Sequence, residues 1–495
     1  MISPNLPHHT GPTGTVPSSN GVRPVPDEAP EAIPAHPLGV KPSGNGLMET
    51  WSLRSSIGYF QALPDILILS LLATLESAEL RALGSTCKAL YAFTRSEELW
   101  KAAFTESGTE KLPKDFTWRG TWRGTYLNLP ASKVASLDCS RLYSDTFHRP
   151  FFCAHISLTP YVENIPTRNQ IPRLPDLTPD EFEKSWLNKP FILTEPVKKW
   201  PIYKTWSIET LSKQYAETFF RIDVVDWPFR TYVDYMKDNS DESPMYLFDS
   251  EFVSKMGLQT EGENAAYTPP AAFGEDFFDV FGAQRPDYQW LLVGPERSGS
   301  PFHKDPNATS AWNAVITGAK YWIMFPGSTV PPGIFVSDTD QNDITAPLSN
   351  AEWLLNFHAA ARKAPGCMEG ICGEGEVLHI PSGWWHLVVN LKPGVAVTEN
   401  FVPRGHLASA LDFLKNKAGQ VTGFKKNVAD PYGLFVERMT EAFPDILEEG
   451  MKELEGRKKR KWEEVIKHAE EEDEGGNGGG FSFGFGGDDS DVEVP

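Results

Sequence analysis

Apolar residues follow two rhythms along this chain. Between residues 288 and 401 they gather in short runs broken by Gly, Pro and Ser: Trp290–Val293, Ala311–Ile316, Tyr321–Phe325, Val377–Ile380 and Leu387–Leu391. Runs of four to six apolar residues between turn signals predict strands buried on both faces. Thr317-Gly318, between two of these runs, predicts a hairpin. Upstream, Pro190–Thr194 and Arg221–Val225 read as strands, and Tyr232–Met236 reads as a helix. Residues 326–375 read as an insertion, with loop chemistry at Pro331-Pro-Gly333 and Ser337–Asp340 and a helix beginning at Glu352. Trp186, Trp200 and Trp206 are expected to be packing residues.

On either side of this region the spacing is helical. Leu67, Leu71 and Leu72 recur along one predicted helix, which Pro64 opens from its first turn. Ser77 is placed to cap a second helix carrying Leu80, Leu83 and Cys87, and Glu98–Phe104 predicts a third. Three short helices make a thin core that needs a neighbour to pack against. After residue 405, Leu411, Phe413 and Leu414 mark one helix and Leu434, Phe435 and Met439 another. The resulting division is a disordered Pro/Gly/Ser/His-rich stretch (1–55), a small all-α unit (58–130), a mainly β domain (145–410), C-terminal helices (411–470) and a disordered acidic Gly/Phe-rich tail (471–495).

A length of 495 residues fits two or three domains, and 40% hydrophobic content fits a substantial core. The net charge of −20 disfavours nucleic acid as the primary partner. No apolar run is long enough for a membrane span, and there is no secretory signal pattern. Five scattered cysteines form no disulfide framework, and Cys367 and Cys372 lack the second pair that a zinc site needs. The protein is therefore expected inside the cell, in nucleus or cytoplasm. The basic cluster Arg457–Lys461 reads either as a nuclear-localisation signal or as a solvated helix face.

The chemistry concentrates in the strand region. His303 and Asp305 are two residues apart, so on an extended chain both point the same way. They supply two ligands of a 2-His-1-carboxylate site for non-haem Fe(II). With 11 His and 66 Asp+Glu in the chain, about one or two such pairs arise by chance, so context decides. His468-Ala-Glu470 lies in a charged, helix-like segment, where residues two apart diverge. The third ligand is either His379, before the Pro381-Ser-Gly turn, or His386, behind two tryptophans. Lys320 opens an otherwise apolar run. It either ends a strand with its ammonium in water or lies inside to meet a ligand carboxylate.

Ser243–Ser250, Gly294–Gly299, His303-Lys-Asp-Pro306, Thr309–Ala314, Gly383-Trp-Trp-His386 and Thr398-Glu-Asn-Phe401 together resemble the JmjC-domain oxygenases. Within that family they resemble the subgroup of the lysyl hydroxylase/arginine demethylase once described as a phosphatidylserine receptor. The resemblance spans roughly residues 150–410. It implies a cupin-like double-stranded β-helix (jelly roll) with helical additions. It also implies Fe(II), 2-oxoglutarate as cosubstrate and O2. His303, Asp305 and His386 match the metal ligands. Lys320 matches the lysine that pairs with the distal carboxylate of 2-oxoglutarate. Asn313, Tyr246, Thr398 and Asn400 match polar residues of the same site, and Ser300 stands where the subgroup has a threonine. His379 becomes a core or supporting histidine. The implied reaction is hydroxylation or demethylation of a basic side chain of a protein substrate.

The N-terminal pattern, from Leu63-Pro64 through Trp118–Tyr126, resembles an F-box. It implies an adaptor of a cullin-type ubiquitin ligase docking on residues 60–104, the alternative being a helical bundle packed on the barrel. Two rival readings of the chain are a substrate receptor whose barrel only binds, and an RNA-base hydroxylase.

Overall fold

The computed structural model describes residues 33–106, 116–130, 136–337 and 344–475, with side chains to residue 460. The expectations for residues 1–32, Asp338–Asp340 and 476–495 lie outside the described residues. The strands are β1 (Arg173–Leu174), β2 (Phe191–Leu193), β3 (Phe219–Ile222), β4 (Val225–Pro228), β5 (Leu247–Asp249), β6 (Gln289–Gly294), β7 (Gly299–His303), β8 (Ser310–Phe325), β9 (Phe335–Val336), β10 (Ile344–Thr345), β11 (Met368–Gly373), β12 (Glu376–Ile380) and β13 (Trp385–Phe401). All but β9 and β10, which pair with each other, join one sheet in the order β1-β2-β12-β8-β13-β6-β5-β3-β4, with β11 also on β8 and β7 also on β13.

Two long strands shape the barrel. β8 and β13 run antiparallel from Phe325↔Trp385 to Ser310↔Phe401. The first half of β8 pairs with β12 and the second half with β11. The first half of β13 pairs with β7 and the second half with β6. Each long strand therefore crosses from one layer to the other, which makes the double-stranded β-helix of a cupin-like domain. The crossing lies at Gly318 and Gly394. A Cβ on Gly318 (φ 91°) would lie 2.8 Å from the Pro393 carbonyl oxygen, and one on Gly394 would lie 2.5 Å from that of Thr317. Only glycine lets the two backbones pass this closely. Thr317-Gly318 is accordingly a bend inside one 16-residue strand and not the expected hairpin.

Arg221–Val225 is likewise not one strand. Asp223 (φ 46°) turns the chain between β3 and β4, and its carboxylate accepts from the Tyr246 amide.

The N-terminal helices depart from expectation in three ways. The helix Asp65–Ala73 begins behind Pro64 but buries Ile68 and Leu72, leaving Leu67 and Leu71 about half exposed. The helix Ser77–Leu83 is capped by Glu76 with Glu79 and not by Ser77. Between it and Glu97–Glu106 lies a further helix, Lys88–Phe93, largely buried. Residues 33–55, expected to be disordered, carry the 3-10 turn Ser43–Met48 and bury Val40 and Leu53. The helical unit is not free-standing. Phe104 and Trp122 pack edge-on or tilted against Trp227, and Asp241 accepts from Lys101, Trp122 and Tyr235. After the barrel, the helices Leu407–Asn416, Pro431–Ala442 and Pro444–Gly475 bury Leu411, Leu414, Phe435 and Met439 against Phe277, Phe278 and Phe281. Among the described residues no single helix is long and apolar enough to cross a membrane.

Candidate metal and cosubstrate site

Strand alternation sorts the barrel residues into ladders. On β13, His386, Val388 and Asn390 share a face. His386 lies opposite Met324 of β8 and His303 of β7, Val388 opposite Trp322 and Ser300, and Asn390 opposite Lys320. In the facing layer Thr398 lies opposite Asn313 and Trp290, and Asn400 opposite Ala311. Between the layers pack Val315, Trp322, Met324, Leu378 and Val388. The interior thus carries imidazoles near one end, amides and hydroxyls in the middle, and an ammonium deeper along the same strands.

His303 ends β7, and Asp305 follows on extended backbone (φ −62°, ψ 147°), so their shared direction survives beyond the strand. One ligand atom from each of His303, Asp305 and His386 lies within 4.8 Å of the other two. His386 Nε2 is 3.9 Å from Asp305 Oδ1, and the two imidazole centroids are 4.1 Å apart. Each ring donates its Nδ1–H to a backbone carbonyl, Pro301 at 2.8 Å and Trp384 at 3.2 Å. A carbonyl can only accept, so both neutral rings present a bare Nε2 lone pair.

Asp305 Oδ2 is buried without a hydrogen-bond partner, which is costly for a carboxylate. Burial pushes the Asp305 carboxyl above its usual range, opposed by His303 and Asn400. Burial, with His303 beside it, holds His386 well below the usual imidazole value. A divalent cation at the common point would keep the carboxylate ionised and suit neutral imidazoles. The donor set fits Fe(II) with open positions.

Lys320 is 4% exposed, and its ammonium donates to the Tyr246 hydroxyl. Among the described residues no carboxylate pairs with it. Asn313 Oδ1 is buried and unpartnered. Thr398 Oγ1 donates to the Trp312 carbonyl at 2.7 Å, so its proton is committed and its lone pairs remain. The Asn400 amide donates to Thr309 Oγ1 at 2.8 Å. Ser300 is half-buried on β7 beside Val388. His379 takes no part. It packs among Phe182, Phe191 and Phe273, where burial lowers its imidazole to about 3.

Three features escaped the sequence reading. Asn390 donates to Ser298 Oγ at 2.8 Å beside Lys320. It stands four residues after His386 in an apolar run, and that break in pattern was the available signal. Gly294 makes room for this group: a Cβ there would lie 2.3 Å from Ser298 Oγ, 2.6 Å from Tyr246 Cδ2 and 2.8 Å from Asn390 Nδ2. Asn307 and Ala308, just after Asp305, both have left-handed backbone (φ 56° and 55°), a costly conformation without glycine. The Asn307 side chain pairs with Thr422 through two hydrogen bonds, at 3.0 and 3.1 Å, and Ser382 Oγ donates to the Ala308 carbonyl at 2.6 Å. These bonds hold the segment that carries Asp305.

Residues 179–405 match the family described as the cupin-like domain. The chain is 35% identical over 453 residues to the arginine-specific demethylase JMJ22 of Arabidopsis thaliana, covering 88% of this chain and 87% of that protein. It is 32% identical over 365 residues to the lysine-specific demethylase JMJ21 of the same plant, covering 70% of this chain and 37% of the relative. It is 31% identical over 299 residues to the bifunctional arginine demethylase and lysyl-hydroxylase psr-1 of Caenorhabditis elegans, covering 57% and 71%.

Proposed function

We propose that this chain, which belongs to the JmjC group of cupin-like oxygenases, uses Fe(II), 2-oxoglutarate and O2 to hydroxylate or oxidatively demethylate lysine or arginine side chains of a protein substrate. The observation that carries the proposal is the convergence of His303, Asp305 and His386 in the same interior as a buried Lys320 with no carboxylate partner among the described residues. Ferrous iron held by His303, Asp305 and His386, with 2-oxoglutarate as cosubstrate, would supply the oxidising power for attack on a C–H bond.

The chain's own residues do the rest. His303 and His386 offer fixed Nε2 lone pairs, and Asp305 offers the charge that favours a cation over water. Lys320 would meet the distal carboxylate of the cosubstrate, and the Tyr246 hydroxyl, which accepts from its ammonium, would orient it. Asn313 and Asn400 supply amide groups along the path between them. Trp322, Met324 and Val388 exclude water from the interior. The test is mass spectrometry of lysine- and methylarginine-containing peptides after incubation with the protein, Fe(II) and 2-oxoglutarate. A gained oxygen atom marks hydroxylation and a lost methyl group marks demethylation. Unaltered peptides of both kinds would contradict the proposed substrate class.

A second reading concerns the N-terminal helices as an adaptor-docking unit of F-box type. It is favoured by a run of exposed apolar residues: Tyr59, Phe60, Ile66, Leu67 and Leu71 are 99%, 47%, 61%, 49% and 48% exposed. Exposed apolar side chains grouped in this stretch of sequence fit an apolar partner. Co-purification of the cullin-ligase adaptor, lost in Ile66→Glu/Leu71→Glu, tests it. These positions are on the surface, so the substitutions spare the core. Adaptor recovery equal to wild type, or none with either protein, would count against it.

A further inference from the structure

A cavity of about 300 Å³ opens beside the metal-ligand loop, between the helices Leu407–Asn416 and Pro444–Gly475. Ala308, three residues beyond Asp305, forms one wall. Asp412, Phe413 and Lys417 form another, and Arg457 and Lys458 close the third side. Arg457 and Lys458 of the basic cluster thus share this cavity with the loop that follows Asp305.

The charges here are unusual for a chain of net −20. Lys417 and Lys458 are exposed, and neither has an acidic partner among the described residues. Arg457 bonds Glu453 at 2.6 Å and Ser409 Oγ at 2.8 Å, which fixes its guanidinium at the cavity edge. Asp412 is occupied by the Asn416 amide at 2.6 Å. Cations gathered around a concave surface repel one another and concentrate anions. The lining is also mixed, with Phe413 and Ala308 between the charges. That suits carboxylate side chains on a polypeptide better than a phosphate backbone, which needs an unbroken basic track.

We infer that this cavity is a substrate subsite that receives an acidic side chain flanking the target residue, with Lys417 and Lys458 meeting its carboxylate. The inference rests on the reading of the barrel as an oxygenase of protein side chains. It restricts that substrate class to a basic target residue with acidic neighbours.

The test uses the full chain and peptides centred on lysine or methylarginine, with Glu, Ala or Lys at the flanking positions. Binding is read by fluorescence anisotropy, and turnover by mass spectrometry. Glu-flanked peptides are expected to bind about tenfold more tightly than Lys-flanked ones, with the difference shrinking as salt rises. In Lys417→Glu/Lys458→Glu the order reverses. The double variant raises KM for Glu-flanked peptides and leaves kcat and peptide-independent succinate release unchanged, because neither residue touches the reacting atoms. Equal binding of all three peptides, or binding untouched by the reversal, would overturn the inference. So would a single-stranded oligonucleotide that displaces the acidic peptide at lower concentration than a second acidic peptide does. Charge-dependent binding without turnover of any peptide would retire the oxygenase reading and leave the acidic-peptide site standing.

Discussion

The ammonium of Lys320 donates to the hydroxyl of Tyr246 inside the barrel, across 74 positions of sequence. A buried cation that, among the described residues, meets a neutral phenol and no carboxylate is poorly compensated in the protein alone. Lys320→Ala is therefore expected to weaken 2-oxoglutarate binding by about 10- to 150-fold, the equivalent of ~1.5–3 kcal/mol for a charge-assisted hydrogen bond. Metal binding should be spared. Lys320→Met, with no charge to bury, should leave the melting temperature of the ligand-free protein unchanged or raised. Calorimetric titration and thermal scans measure both, and a clear drop in melting temperature for Lys320→Met would show that the lysine serves the fold.

Asn307 governs the position of Asp305 through the Thr422 latch. Asn307→Ala loses both hydrogen bonds and the residue type that tolerates left-handed backbone. Its metal affinity should fall by about 10- to 100-fold, as for other partners that orient ligands. Asn307→Gly keeps the backbone conformation and should fall between the two. Metal titration of the ligand-free proteins measures this. Equal affinities with a lowered melting temperature would make the latch structural only.

Gly318 sits where the backbones of the two long strands cross. Alanine there adds a Cβ 2.8–2.9 Å from the Pro393 carbonyl and Gly394 Cα, on a φ of 91°, and should cost at least about 2 kcal/mol. Gly257 has a positive φ of 64° but nothing near a Cβ, so alanine there should cost only ~1 kcal/mol. Denaturant unfolding of both variants checks the order.

Glu369 offers a test by pH. Burial alone would raise its carboxyl, but hydrogen bonds from Tyr321, Asn169 and Arg362, with His358 Nε2 3.6 Å away, hold it at about 2, below its ordinary 4.5. A carboxyl depressed by folding stabilises above its unfolded value and loses that effect as pH falls towards its folded value. The stability advantage of wild type over Glu369→Gln should be constant above about pH 5. Below pH 4.5 it should shrink by at most ~1.4 kcal/mol per pH unit. An advantage that grows on acidification would contradict the network.

Much of the site could be read from the chain because its chemistry is local. His303 and Asp305 share a direction over three residues, and Gly383-Trp-Trp-His386 points through resemblance to His386, the third member of the group the fold brings together. What the sequence hid depends on distant pairing. Thr317-Gly318 has the composition of a turn, and only the passage of β13 across β8 makes it a bend. Leu67, Leu71 and Leu72 mark a helix, but Asp65–Ala73 is apolar nearly all round, so their spacing does not select the face that Ile68 and Leu72 bury. Asn390 lies in an apolar run, and its importance emerges only when Lys320 is found opposite it.

The most direct test of the central claim is succinate release from labelled 2-oxoglutarate, with and without added Fe(II), for wild type and for His303→Ala at matched folding. The account predicts Fe(II)-dependent succinate from wild type and a loss of at least about a hundredfold in the variant. Release that persists undiminished in His303→Ala would contradict it.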